Sequence, residues 1–443
     1  MNRRYSKAAT ALCVAALALP AAGAQLGDFE LGGSVIDEWS LCDNCAPHVV
    51  NPNPFDPRGV LGTTPPVNQP GTPGHDKENL FLVILNGGAK HEFDNAVAIE
   101  GRLTTRQRNY HADIVGEQLE EAFAGISYPT WGALKYGTMT SRSWSRADAF
   151  TFDVGLAPWA ESGAGYGVLR HAARYTSPEF EPSFGKFSVE ATLSTPQRGF
   201  QLNSASPVYA EPPKPKLFET FVQFSNEGNL IELIYQHSGG GIQSSFAEGG
   251  FIGAAGNTDG TANAAGYQVP SETLWLLEGS HWVGEHWKFT YGLKRSWWSG
   301  LQQQCDYSAS VNLCFYDQAG FNYAVGGRVH PAYEYDGLLA GSYTSGLWTY
   351  TAGAIRFNSA YTKTPTEWGQ SNNAFIGNLE ARRKIANLNS HVDASVYGAL
   401  NRVQFSHQLP APLSFPSNTA FGGVDPRVSK SGNTYIVGAR INF

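Results

Sequence analysis

Apolar and polar residues alternate one by one along most of this chain. In its last run Tyr435, Val437, Ala439, Ile441 and Phe443 share one face, and Ile436, Gly438, Arg440 and Asn442 share the other. A period of two marks a strand whose two sides meet different surroundings. The same texture sets Phe187, Val189, Ala191 and Leu193 against Lys186, Ser188, Glu190 and Thr192. It sets Trp287, Phe289, Tyr291 and Leu293 against Lys288, Thr290 and Lys294, and Phe375, Gly377, Leu379 and Ala381 against Asn378, Glu380, Arg382 and Lys384. Earlier, Val97, Ile99 and Leu103 oppose Glu100, Arg102, Arg106 and Arg108. Such charges are intolerable towards lipid and natural in a water-filled lumen. The pattern predicts an all-β fold, a transmembrane antiparallel β-barrel whose final aromatic sits at a membrane interface.

Turn-forming residues divide the strands unevenly. Short turns are expected at Asp94-Asn95, 226–228, 284–286 and 387–389, and long polar loops at 140–168, 195–215, 239–269, 298–317, 362–372 and 407–431. Short turns alternating with long loops fit a barrel with one elaborated rim. A first strand is expected over 29–39, and the Pro-, Gly- and Asn-rich stretch 42–77 reads as an exposed loop. Counting gives 16 or 17 strand-like runs, with the uncertainty at 320–362. A single-chain bacterial barrel has an even number, which points to 16 strands with 18 as the alternative.

Residues 1–24 have the form of a secretory signal. Arg3, Arg4 and Lys7 precede an apolar run from Ala8 to Ala18, and Ala22-Gly23-Ala24 is a small-residue cleavage site. The barrel domain is then 25–443, and removal of three basic residues takes the formal charge from −7 to −10. No later segment has the length of apolar sequence that a spanning helix needs. Cys42, Cys45, Cys305 and Cys314 form an even set in an exported chain, which favours two structural disulfides over a metal site. The polar octapeptide between Cys305 and Cys314 makes a local loop staple the favoured pairing there.

Two segments carry a resemblance. Ala122-Phe-Ala-Gly-Ile-Ser-Tyr128 is followed by Gly132-Ala-Leu-Lys-Tyr-Gly137, and Arg170-His-Ala-Ala-Arg-Tyr-Thr-Ser-Pro178 comes after a long gap. In order and spacing these resemble the general trimeric porins of Gram-negative bacteria, over about 60 residues. The resemblance implies that a long third loop, about 138–169, folds into the pore and narrows it. It implies an outer-membrane homotrimer, contact with membrane lipid and lipopolysaccharide, passive diffusion of small hydrophilic solutes, no cofactor and no nucleic acid. The loop would supply Asp148, Asp153 and Glu161 to a constriction, and Arg170 would hold a wall-arginine position. Glu120 and Thr138 stand where the family pattern has arginines, so Arg102, Arg106 and Lys135 are the candidates for compensating wall charge. Inward bases outnumber inward acids on the strands that can be registered, which predicts a mild anion preference.

Catalytic and metal readings find little to stand on. His281 and His286 flank a turn without a ligand motif, and His91-Glu-Phe-Asp94 lacks a second histidine. The glycines at 239–241 are not followed by a phosphate-loop lysine. Asp148 and Asp153 suit a constriction better than a catalytic pair. The alternatives to an open porin are a channel selective for a sugar or organic anion and a structural or adhesive barrel. In the selective channel Trp348 and Tyr350 would line the lumen, provided that Ile355 and Phe357 face lipid.

Overall fold

The computed structural model describes residues 28–45, 74–108, 119–152, 154–156, 159, 168–194, 216–239, 242–243, 251–252, 271–299, 304–306, 313–315, 332–358, 361–362, 374–389, 392–405 and 429–443. The expected signal segment and most long loops lie outside these residues.

The alternating runs become β1 (Phe29–Cys45), β2 (Gly74–Glu92), β3 (Ala98–Arg108), β4 (Leu119–Tyr128) and β5 (Gly132–Thr140). After the helix α1 (Arg142–Phe152) come β6 (Val168–Thr176), β7 (Lys186–Ser194), β8 (Lys216–Asn226) and β9 (Asn229–Gly239). The set is completed by β10 (Ser271–Val283), β11 (Trp287–Ser299), β12 (Ala332–Ser345), β13 (Trp348–Phe357), β14 (Ala374–Asn389), β15 (Val392–Phe405) and β16 (Ser431–Asn442). Each strand pairs antiparallel with the next, and β16 returns to pair with β1 from Ser34↔Asn442 to Cys42↔Thr434. The result is a closed barrel of 16 strands. The ambiguity at 320–362 has a physical origin: β13 breaks after Phe357 and resumes at Tyr361–Thr362 on the same neighbour, β12.

Closure leaves no open edge for lipid to meet. Gly33 N donates to Phe443 O at 2.7 Å, and Phe443 N donates to Gly33 O at 3.0 Å. A Cβ at Gly33 would lie 2.3 Å from the Ile84 carbonyl oxygen and 3.1 Å from the Phe443 ring. Gly33→Val should therefore loosen this junction by about 1–3 kcal/mol. The check is the temperature at which the folded barrel loses its compact mobility on a gel, which should fall.

The outer face is an apolar belt. Val437 is 67% exposed, Leu339 64% and Leu379 59%, values that a water-facing surface of this extent would not sustain. Aromatic residues gather near the short-turn end, where Trp287 lies 4.9 Å from Tyr343 and Trp348 stacks 6.0 Å from Tyr350. Trp348 and Tyr350 thus face outward, whereas Ile355 and Phe357 are buried inside. That register removes the aromatic lining a selective sugar channel would need.

Three expected boundaries are corrected. Residues 42–45 and 74–77 are strand, because β1 and β2 continue as a long hairpin with Cys42 opposite Asp76. Strand β14 runs through 387–389, where the ladder absorbs a register shift between Ile385 and Asn389 and Asn389 still pairs with Val392. The run read from Val97 is strand only from Ala98, and Ala96, with a left-handed φ of 62°, belongs to the bend before it.

Candidate functional site: a loop held against the lumen wall

Strand β5 ends where its pairing is already irregular, with a register shift between Gly137 and Met139. The next residues turn inward. Ser141 caps the helix, its Oγ accepting from Trp144 N at 3.2 Å. A wall carboxylate completes the cap: Glu219 on β8 accepts from Arg142 N at 2.7 Å and Ser143 N at 3.1 Å. Negative charge at a helix N-terminus satisfies free amides and complements the dipole. Gln236 on β9 donates to both Glu219 Oε2 (2.9 Å) and Ser143 Oγ (2.8 Å).

The helix carries its own cations to this wall. Arg142 forms a fork on Glu190 of β7, with Nε and Nη2 at 2.5 and 2.7 Å from its two oxygens. Arg146 reaches Glu232 of β9 at 2.6 Å. Burial works against the Arg142 charge, yet the Glu190 hydrogen bonds and attraction from Glu190, Glu219 and Glu121 hold its pKa above the ordinary arginine value. Behind the loop, Arg174 of β6 donates to Thr140 O (2.7 Å) and Thr192 Oγ1 (2.8 Å), with Glu190 and Glu219 at 3.8 and 3.7 Å.

Apolar packing then holds the described loop residues from Trp144 to Trp159. Trp144, Ala147, Val154, Leu156 and Trp159 are buried in one cluster with inward residues of β8–β15, among them Phe221, Ile234, Leu276 and Ile355. Gly155 adopts φ +66°, and a Cβ there would meet Glu380 Oε2 at 2.6 Å. Trp159 is the far latch. Its Nε1 donates to Glu278 Oε1 at 2.8 Å, Lys294 Nζ donates to its carbonyl at 2.9 Å, and the same ammonium sits 4.4 Å from its ring centre. Gly292 makes room, since a Cβ would come within 2.7 Å of the indole.

The rest of the lumen wall has a different texture. Arg102 pairs with Glu121 at 3.1 Å, Arg106 with Glu120 at 2.5 Å and Lys135 with Glu100 at 3.1 Å. Arg106 also stacks 5.0 Å over Trp144 and so touches the loop. Further round, Arg382 pairs with Glu380 at 2.9 Å and lies 5.2 Å over Tyr397, whose hydroxyl donates to Glu38 at 2.8 Å. Accessibility separates the two sides. The Arg102 side chain is 44% exposed, whereas Glu219 is 1% and Glu232 0% exposed under the loop.

Arg102, Arg106, Lys135 and Glu120 are thus inward and brought together as neighbouring ion pairs. The side chains of Asp148 and Arg170, and the whole of Asp153 and Glu161, lie outside the described residues. What alternation did not single out is the loop-side acid row Glu190, Glu219, Glu232 and Glu278 with Arg174. Their inward parity was readable, but their partners on the loop were not. Each of the inward bases Arg102, Arg106, Lys135 and Arg382 has a carboxylate beside it, so the described wall shows paired charge where the sequence suggested an excess of bases. Cys42 is disulfide-bonded. Cys305 and Cys314 lie directly opposite each other in a small ladder.

The histidines have structural partners. His281 contacts Asn229 Oδ1 at 2.6 Å and Tyr291 Oη at 3.2 Å, His286 the Thr344 carbonyl at 2.9 Å, and His91 the Asp28 carboxylate at 2.6 Å. Among the described residues no group of three or more His, Cys, Asp or Glu is placed to hold a metal ion.

Several solved structures share this arrangement of strands. The anion-selective porin from Comamonas acidovorans is 12% identical, with 94% of this chain and 99% of that chain covered and a TM-score of 0.56. OmpT in trimer form, an outer membrane protein of Vibrio cholerae, is 12% identical over 94% and 99% of the two chains, with a TM-score of 0.51. Salmonella typhi OmpF in complex with daunomycin is 9% identical over 94% and 97%, also with a TM-score of 0.51. No protein-family model matches the chain, and no curated protein matches it significantly in sequence. At these identities the likeness defines the fold: a 16-stranded barrel of the porin type.

Proposed function

We propose that the protein is a porin of the bacterial outer membrane, through which small hydrophilic solutes and ions diffuse down their gradients without a bound cofactor. In this reading three copies assemble into a homotrimer, in keeping with the trimer form of the Vibrio cholerae neighbour. The observation that carries it is a closed barrel with a lipid-compatible outside, a charged inside, and a loop held to one wall so that the remaining lumen stays polar. Charges that a permeating ion meets decide selectivity more than buried pairs do. Acids under the loop are covered and neutralised by Arg142, Arg146 and Arg174, while Arg102, the most exposed of the paired inward arginines, borders the open side. Arg102, Arg106, Lys135 and Glu120, with Asp148, Asp153, Glu161 and Arg170, form the proposed constriction region. Disulfides within the Cys42/Cys45 and Cys305/Cys314 pairs would tie down the loop ends.

This arrangement favours anions, the preference that the name of the Comamonas protein also states. In planar bilayers under a potassium chloride gradient, the reversal potential should have the sign of chloride selectivity. The double variant Arg102→Glu/Arg382→Glu should move it towards potassium. A cation-selective parent channel would overturn the preference, and a parent without conductance would overturn the channel itself.

A further inference from the structure

The lumen wall near the short-turn end contains a shallow cavity of about 250 Å³. Its floor is a single rung of the sheet. Glu92 on β2 is directly opposite Ala98 on β3, Ala98 opposite Ser127 on β4, Ser127 opposite Ala133 on β5, and Ala133 opposite Thr176 on β6. Directly opposed residues share a face, and this rung lies two residues from the inward ion pair of Glu100 with Lys135. Ala98, Ser127 and Ala133 are therefore inward and small, which hollows the wall between taller neighbours.

Charged residues border this floor. The next inward rung, on the long-loop side, runs Lys90, Glu100, Gly125, Lys135 and Arg174. Gly125 lets the middle pair meet, since a Cβ there would lie 3.1 Å from both Glu100 Cγ and Lys135 Cγ. Glu100 and Lys135 satisfy each other at 3.1 Å, and Arg174 is engaged by Thr140 and Thr192. Lys90 and Glu92 differ. Both side chains are exposed and line the cavity, and among the described residues neither takes part in an ion pair or a side-chain hydrogen bond. The cavity thus presents one ammonium and one carboxylate, about 7 Å apart along β2 at ordinary strand rise.

Opposite charges at a set separation select a ligand that carries both. A single amino acid holds its two charges closer than this, whereas two extended residues span about 7 Å. The volume, that of roughly eight liquid waters, suits small side chains. We infer that this cavity binds a free dipeptide with small side chains, its carboxylate on Lys90, its ammonium on Glu92 and its peptide group over Ser127. The site stands at the short-turn mouth, apart from the loop-held region. As a station for solutes in transit it rests on the channel reading, and the binding itself does not.

The test is saturation-transfer NMR on the full-length protein in detergent, with glycylglycine as the probe. It should bind saturably and about fivefold more tightly than N-acetylglycylglycine, which lacks the ammonium, or glycylglycinamide, which lacks the carboxylate. The variant Lys90→Gln/Glu92→Gln should bind it about tenfold more weakly. Ala133→Leu keeps both charges and fills the floor, and should weaken binding as much. If that variant does not fold, Ser127→Val should show the same direction. Glu227→Gln, an exposed acid on a different short turn, should bind like the parent. No binding by the parent, equal binding of a blocked peptide or of glycine, or parent-like binding by the charge or floor variants would each overturn the inference. Bilayer conductance of the same preparations keeps the two readings apart: a conducting parent that binds no dipeptide removes the site and leaves the channel, and a binding parent without conductance does the reverse.

Discussion

Trp159→Ala should release the far half of the loop and raise single-channel conductance and its fluctuations. Trp159 is fully buried, and truncating such a side chain costs about 3–5 kcal/mol. The loss is more than packing. Glu278, 0% exposed, receives its only described hydrogen bond from the indole, and its Oε2 already lacks a partner. A buried carboxyl left without a donor adds about 1–3 kcal/mol. The strand ladders do not involve this residue, so the cost should fall on loop docking and leave the barrel's thermal transition nearly unchanged. Trp159→Phe keeps the ring and loses the Nε1 donor, and should lie between parent and alanine variant. Limited proteolysis of the loop alongside conductance would show the effect, and a loop as protected as in the parent would rule out the latch.

The second large effect concerns the near end. Glu219→Ala removes the acceptor of two helix-terminal amides and of Gln236, and takes a carboxylate from beside Arg174. Breaking a buried charge pair from one side costs about 3–5 kcal/mol. Helix 142–152 should then lose amide protection in hydrogen exchange, while the flanking ladders of β7 and β9 keep theirs. Glu219→Gln retains an oxygen acceptor and loses the charge that complements the helix dipole, so part of the protection should survive. Unaltered exchange in the alanine variant would mean that apolar packing alone holds the helix.

These two anchors also mark the limit of what the chain discloses before folding. The barrel was legible because side-chain parity is a local property: Leu379 and Glu380 announce opposite faces wherever their strand sits. The strand number was nearly legible, and the one doubtful region is where β13 is interrupted around Asn358. Turn composition misled at 387–389, where β14 continues past an irregularity in its ladder and Asn389 still pairs with Val392. Helix α1 escaped altogether. Its polar Ser141-Arg-Ser-Trp-Ser-Arg146 start reads as loop, and its stability comes from Glu219, Glu190 and Glu232 on strands far along the chain. Arg106 and Glu120 were named as separate wall candidates, and their contact needed the bulge between β3 and β4 at Thr104/Thr105 to be seen.

The junction of β1 with β16 has a kinetic meaning. Every other ladder of the barrel joins strands adjacent in sequence, whereas Gly33 and Phe443 are 443 − 33 = 410 residues apart. Fifteen pairings can grow as local hairpins, and a single one carries nearly all the loop-closure entropy. Until it forms, β1 and β16 are open edges able to recruit a neighbouring chain. Assembly of this barrel is therefore governed by one late event, and its hazard is a wrong partner for two strands.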